Sequence, residues 1–281
     1  MQESKPKITV VICGGGVKGT FQAGFLYALL TDDHYEVEKV YASSIGAVLA
    51  PFVAANRPEY LKEFCFKLTK LETYFEKWWL PAWICSFWTL GFFKKNNLAS
   101  HAWKYFDATD IGVIESKCNI VAWNVLKNCE EWFTGQYVRD GITASSSLWL
   151  LVPPFKLNNQ YYLDGGCRNI YPIDILLNNS DNKNPIDKIF FLDSSTRICK
   201  EKAKLPRNAI QLLYQLHDST LEDYGRLKLE LLEEKYGESL LIIRPDEDIF
   251  DSNVDFNIKK MEASFKHGEN IYWELVHQSR P

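Results

Sequence analysis

Apolar residues in this chain alternate between two periodicities, and their order predicts the architecture. Residues 8–13 (ITVVIC) form an unbroken β-branched run, as a strand buried on both faces requires. Glycines end that run, and residues 20–30 (TFQAGFLYALL) then carry large apolar side chains at helical spacing. Residues 37–42 predict a second strand, 43–46 a tight turn, and 47–56 (AVLAPFVAAN) a second helix. Strand, glycine loop, helix, strand, turn, helix is a parallel βαβ unit, whose ligand-facing loops lie at the carboxyl ends of its strands.

Further along, residues 58–71 predict a helix, an aromatic block fills 74–93, and 101–109 (HAWKYFDAT) predict a short helix. Strands are expected at 119–125 and 131–134 around a Lys127-Asn128 turn. A small-residue stretch, 142–147, precedes LVPPF, and a short strand at 161–163 runs into Asp164-Gly165-Gly166. Buried strands are expected at 188–192 (KIFFL) and 240–243 (LLII), with helices at 209–235 and 258–276. There is no internal repeat and no long linker. The expectation is one α/β domain over 1–281, with a mainly parallel central sheet flanked by helices.

Composition removes several function classes. With 46% hydrophobic residues the chain can offset its ordering entropy, so disorder is excluded. A net charge of −4 without a basic stripe argues against a nucleic-acid partner. The seven cysteines include no C-x-x-C pair, which suits neither a disulfide framework nor a zinc site. No metal and no cofactor are expected. The apolar run near the start is too short for a secretory signal. A cytoplasmic protein is the expectation.

Three motifs carry candidate chemistry. Gly14-Gly15-Gly16-Val17-Lys18-Gly19 fits G-x-G-x-x-G after a strand. A dinucleotide site also wants an acidic residue at the end of the second strand, but that strand ends in Ala42-Ser43-Ser44. A phosphate loop fails because Lys18-Gly19 stands in the wrong order. What remains is a set of unhindered backbone N–H groups suited to a localised negative charge, or simply a glycine turn. Ala42-Ser43-Ser44-Ile45-Gly46 approximates the G-x-S-x-G elbow, which exposes a serine on a strained strand-to-helix turn; a plain helix cap is the alternative. Asp164-Gly165-Gly166 ends a strand with a carboxylate or is only a turn. Together, a serine, a carboxylate and an N–H cradle make a minimal acyl-transfer site. Asp193, in LDSS, is a rival base without the glycines. The histidines (His34, His101, His217, His267 and His277) stand outside these motifs, although triad members need not be close in sequence.

These three motifs, in this order, resemble the patatin-like phospholipase family, whose members use a Ser–Asp dyad. The similarity covers roughly residues 8–175 well, including Ala144–Ser147 and Val152–Phe155 before the aspartate, and the rest loosely. Ala42 departs from the family's usual glycine. The resemblance implies a three-layer sandwich in which Ser44 is the nucleophile and Asp164 the base. It further implies that the loop of Gly14, Gly15, Gly16, Lys18 and Gly19 holds the oxyanion, while Ala42 and Gly46 support the elbow and Gly165 and Gly166 the aspartate motif. The implied substrate is a phospholipid or other glycerolipid ester, cleaved at a membrane surface. A catalytically inactive lipid-binding protein and a soluble acyl esterase or thioesterase are the alternatives.

Four of the nine tryptophans (Trp78, Trp79, Trp83 and Trp88) lie in the aromatic block, flanked by Lys77, Lys94 and Lys95. Its uncharged run, 78–93, is shorter than the ~20 residues of a spanning helix and contains Pro81 and Gly91. Trp favours the membrane–water interface, so residues 74–95 are expected to dock on a bilayer, to cover the site as a lid, or to form a buried subdomain.

Overall fold

A computed structural model describes residues 5–68, 75–77, 93–149, 151–178, 188–196, 209–250 and 255–279. Its first part is the expected unit: β1 (Lys7–Ile12), α1 (Gly19–Asp32), β2 (Glu36–Ala42), α2 (Ile45–Ala54) and α3 (Pro58–Lys67). A small antiparallel pair follows, β3 (Phe75–Lys77) with β4 (Phe93–Asn96), and then α4 (Leu98–Ala102) and α5 (Ala108–Lys117). The middle of the chain forms β5 (Cys118–Asn124), β6 (Cys129–Phe133), α6 (Val138–Ser145), β7 (Phe155–Leu157) and β8 (Gln160–Asp164). The last part is α7 (Asp174–Asn178), β9 (Lys188–Leu192), α8 (Ala209–Tyr236), β10 (Leu240–Ile243) and α9 (Ile258–Ser279).

The sheet runs β10-β9-β1-β2-β5-β8-β7, with β6 also paired to β5. From β10 to β5 every pairing is parallel, whereas β6, β8 and β7 join antiparallel. β1 is central, which is why its apolar residues form an unbroken run. Val10 and Ile12 point into a core shared with Phe21 and Phe25 of α1, Phe52 of α2 and Phe265 of α9. Val11 points the other way, to Phe191 of β9, Leu176 of α7 and Leu229 and Leu232 of α8. Two cores on opposite faces of one sheet make three layers. Helix α1 is buried nearly all round because α9 crosses its outer side. At that crossing a Cβ on Gly24 would lie 1.9 Å from the Phe265 carbonyl oxygen, and one on Gly268 2.1 Å from that of Phe21.

One local expectation changes. The single helix over 101–109 is instead the end of α4, a 3₁₀ turn (Trp103–Tyr105) and the start of α5. The break comes at Asp107, whose carboxylate accepts the amides of Thr109 and Asp110 and so starts a new helix. The small-residue stretch at 142–147 is mostly the last turn of α6, and LVPPF ends in the edge strand β7. Among the described residues no helix is long and apolar enough to cross a membrane. Trp78, Trp79, Trp83 and Trp88 lie outside the described residues.

Candidate active site

The site forms where two strands meet end to end on a third. β2 runs parallel to β5 and ends with Ala42 opposite Ile120. β8 runs antiparallel along β5 and ends with Asp164 opposite Ala122. The elbow after β2 and the carboxylate ending β8 therefore converge around Val121. Gly165 makes this junction possible, since a Cβ there would sit 2.8 Å from the Val121 carbonyl oxygen.

Ser44 occupies the elbow with φ 56° and ψ −126°, a conformation that side chains rarely adopt. The turn beneath it is tight: a Cβ on Gly46 would lie 2.3 Å from the Ile12 carbonyl oxygen. Ala42, by contrast, is buried at the strand end without disturbing the elbow, so its extra methyl is accommodated. Ser44 also sits at the N-terminus of α2, whose partial positive charge favours negative charge developing there.

The Ser44 hydroxyl donates to Asp164 Oδ2 at 2.6 Å. The other carboxylate oxygen accepts the Gly166 amide at 2.8 Å, which gives the second glycine of the motif its use. Asp164 is only 1% exposed. Burial pushes its carboxyl up to about 7, against the lowering effects of the Ser44 hydroxyl and the Gly166 amide. A carboxylate that is half protonated near neutral pH and bonded to a strained serine is suited to accept that serine's proton.

The glycine loop lies alongside. A Cβ on Gly14 would meet Ser44 Cβ at 2.9 Å, so the loop touches the elbow. Gly15 and Gly16 have φ of 151° and 58°, open to glycine and costly for other residues. Among the described residues nothing accepts the amides of Gly15 and Gly16. Gly19 opens α1 against Ile45, where a Cβ would meet the Ile45 side chain at 2.7 Å. The Lys18 ammonium lies 3.7 Å from Asp248 Oδ1, an ion pair with a residue outside the loop.

The rival residues are engaged elsewhere. Asp193 is buried and accepts from Tyr171 Oη (2.7 Å), Arg244 Nε (3.0 Å) and Ser195 Oγ (2.8 Å). His34 stacks edge-on to Tyr35, and His267 lies against Phe21 while accepting the Asp246 amide. His101 belongs to α4, and the side chains of His217 and His277 lie outside the described residues. Among the described residues Ser44 and Asp164 have no histidine partner, and no cluster of three or more His, Cys, Asp or Glu could hold a metal.

Two supporting residues had no distinct motif. Ser145, fully buried at the end of α6, accepts the Ser44 amide on its hydroxyl at 2.8 Å. Ser147 accepts the Asp164 amide on its carbonyl at 3.0 Å. One short segment thus holds both halves of the pair, and the run Ala144–Ser147 was the only hint of it in the sequence. Ser145→Ala orphans a buried amide, so it should lower stability by about 1–3 kcal/mol. By loosening the elbow it should also slow turnover about 10-fold. Thermal unfolding and initial rates check both.

The chain is similar to known proteins in three respects. The model of the family described as patatin-like phospholipase matches residues 10–177. A protein of Invertebrate iridescent virus 6, named probable lipid hydrolase 463L, is 33% identical over 70 residues. That match spans 23% of this chain and 24% of the viral protein. The crystal structure of VipD from Legionella pneumophila superposes with a TM-score of 0.48 at 13% identity, covering 96% of this chain and 67% of that one.

Proposed function

We propose that this chain, which belongs to the patatin-like phospholipase family, hydrolyses carboxylic esters of glycerolipids with Ser44 as nucleophile and Asp164 as base. The observation that carries this reading is the 2.6 Å hydrogen bond from the strained Ser44 hydroxyl to a buried carboxylate. Ser44 Oγ attacks the ester carbonyl carbon as its proton passes to Asp164 Oδ2. The carbonyl oxygen becomes an oxyanion, held by the Gly15 and Gly16 amides; one such donor is typically worth about 3 kcal/mol. Collapse expels the alkoxide, which takes the proton from Asp164 and leaves an acyl-serine. A water then attacks, giving its proton to Asp164, and the second collapse returns that proton to Ser44 as the fatty acid departs.

Asp164 serves both half-reactions without an imidazole because its burial brings it near the pH at which it works. The intact Ser44–Asp164 bond favours this reading over a catalytically inactive lipid binder. The aromatic block at 74–95 is proposed to meet the lipid surface, with the protein peripheral to the membrane. Fatty-acid release from a phospholipid titrated through its micelle threshold tests the substrate class. The expected result is a sharp rise in rate above the threshold. Equal cleavage of dispersed short-chain esters with no rise would instead make this a soluble esterase.

A further inference from the structure

We infer that Ser194, at the carboxyl end of β9, is a positioning residue that sets the orientation of the oxyanion loop. Its hydroxyl donates to the Gly14 carbonyl oxygen at 2.6 Å. The carbonyl of Gly14 and the amide of Gly15 belong to one planar trans peptide and point in opposite directions. Anchoring that carbonyl on Ser194 therefore turns the Gly15 N–H away from β9 and leaves it free to donate.

This peptide needs an anchor more than most. It is flanked by glycines, and Gly15 and Gly16 both have positive φ, so no side chain restricts rotation of the plane. The Gly15 carbonyl already accepts the Lys18 amide at 3.2 Å, which fixes the next plane but not this one. The fit between Ser194 and the loop is close, because a Cβ on Gly15 would lie 2.0 Å from Ser194 Oγ.

Ser194 is itself rigidly held. The amide of the preceding Asp193 donates to the Ile243 carbonyl oxygen at 2.9 Å, extending the pairing of β9 with β10. The Asp193 carboxylate accepts from Tyr171 and Arg244 on one oxygen and from the Ser195 amide and hydroxyl on the other. The buried cluster around Asp193 therefore acts as a bracket: it clamps the turn that carries Ser194, and Ser194 clamps the loop. A rival base in the sequence becomes the foundation of the oxyanion cradle.

This inference rests on the acyl-transfer reading of the site. Its test compares Ser194→Ala with the wild type in kcat, KM, pH profile and labelling by a fluorophosphonate. A freed peptide samples the flipped orientation, so kcat and the labelling rate should each fall about 10- to 100-fold. KM should stay within twofold, and the pH midpoint set by Asp164 should not move. A merely structural role would lower the melting temperature and shift KM or the midpoint instead, and would overturn the inference, as would a folded variant with wild-type kcat. Should Ser194→Ala not fold, Ser194→Cys keeps the size but donates weakly. It is expected to lose at least about 5-fold in kcat at unchanged KM, and a wild-type rate would overturn the inference. Wild-type protein that neither labels nor turns over would defeat the acyl-transfer reading itself, an outcome distinct from equal rates in wild type and variant.

Discussion

Ser44→Ala should abolish ester hydrolysis, with turnover falling roughly four to six orders of magnitude and the fold retained. On the proposed mechanism the loss is chemical, because there the hydroxyl is the attacking atom and nothing else at the elbow would replace it. The main chain supplies a second, sharper expectation. Ser44 holds φ 56° and ψ −126° because Gly46 and the end of β1 leave the turn no room to relax. Alanine inherits that strain, whereas glycine does not. Ser44→Gly should therefore be as inactive as Ser44→Ala yet more stable by about 1–2 kcal/mol. Denaturant unfolding of the two variants side by side measures the strain stored at Ser44; equal stabilities would show that the elbow is unstrained.

Asp164→Asn should separate activity from stability in opposite directions. Without a proton acceptor, turnover falls by roughly three to four orders of magnitude. Stability moves the other way, and the sign follows from the carboxyl's displacement from 3.8 to about 7 in the fold. Below the lower value Asp164 is neutral in both folded and unfolded chains. As pH rises the unfolded chain ionises first, so the fold loses stability until about pH 7, above which the loss is complete. Asparagine cannot titrate and keeps the shape of the contacts with Ser44 and Gly166. The variant should gain roughly 2–4 kcal/mol over wild type at pH 8 and nothing near pH 4. The same titration predicts wild-type kcat/KM rising through a midpoint near 7 to a plateau on the alkaline side. A melting temperature of Asp164→Asn below wild type at both pH values would contradict the buried-carboxylate account.

How far the sequence foretells this site depends on how local each contact is. The continuous apolar run of β1, the glycine loop and the elbow are local patterns, so the βαβ unit and the places of Ser44 and Gly14–Gly19 were legible. Asp164-Gly165-Gly166 was legible as a strand end, but its approach to Ser44 depends on β2 and β8 sharing one edge of β5, which no local spacing encodes. The contacts of Ser145 and Ser194 are illegible for the same reason. Each is an ordinary serine whose partner lies 101 or 180 residues away. The start of α5 was missed because its signal is an Asp107 cap rather than an apolar stripe. Asp193, at a strand end in LDSS, reads as a possible base in the sequence, and only the pairing with Arg244 and Tyr171 turns it into scaffolding.

The most direct test of the central claim is the rate of covalent labelling by a fluorophosphonate across pH 5–9 (~0.5-unit steps suffice to locate a midpoint near 7), with anionic phospholipid vesicles present, for wild type, Ser44→Ala and Asp164→Asn, each shown to be folded. The account predicts that wild type labels with a rate rising through a midpoint near pH 7, that Ser44→Ala does not label, and that Asp164→Asn labels at least about 100-fold more slowly without that midpoint. Folded wild-type protein that stays unlabelled, or an Asp164→Asn variant that labels at the wild-type rate throughout, would contradict it.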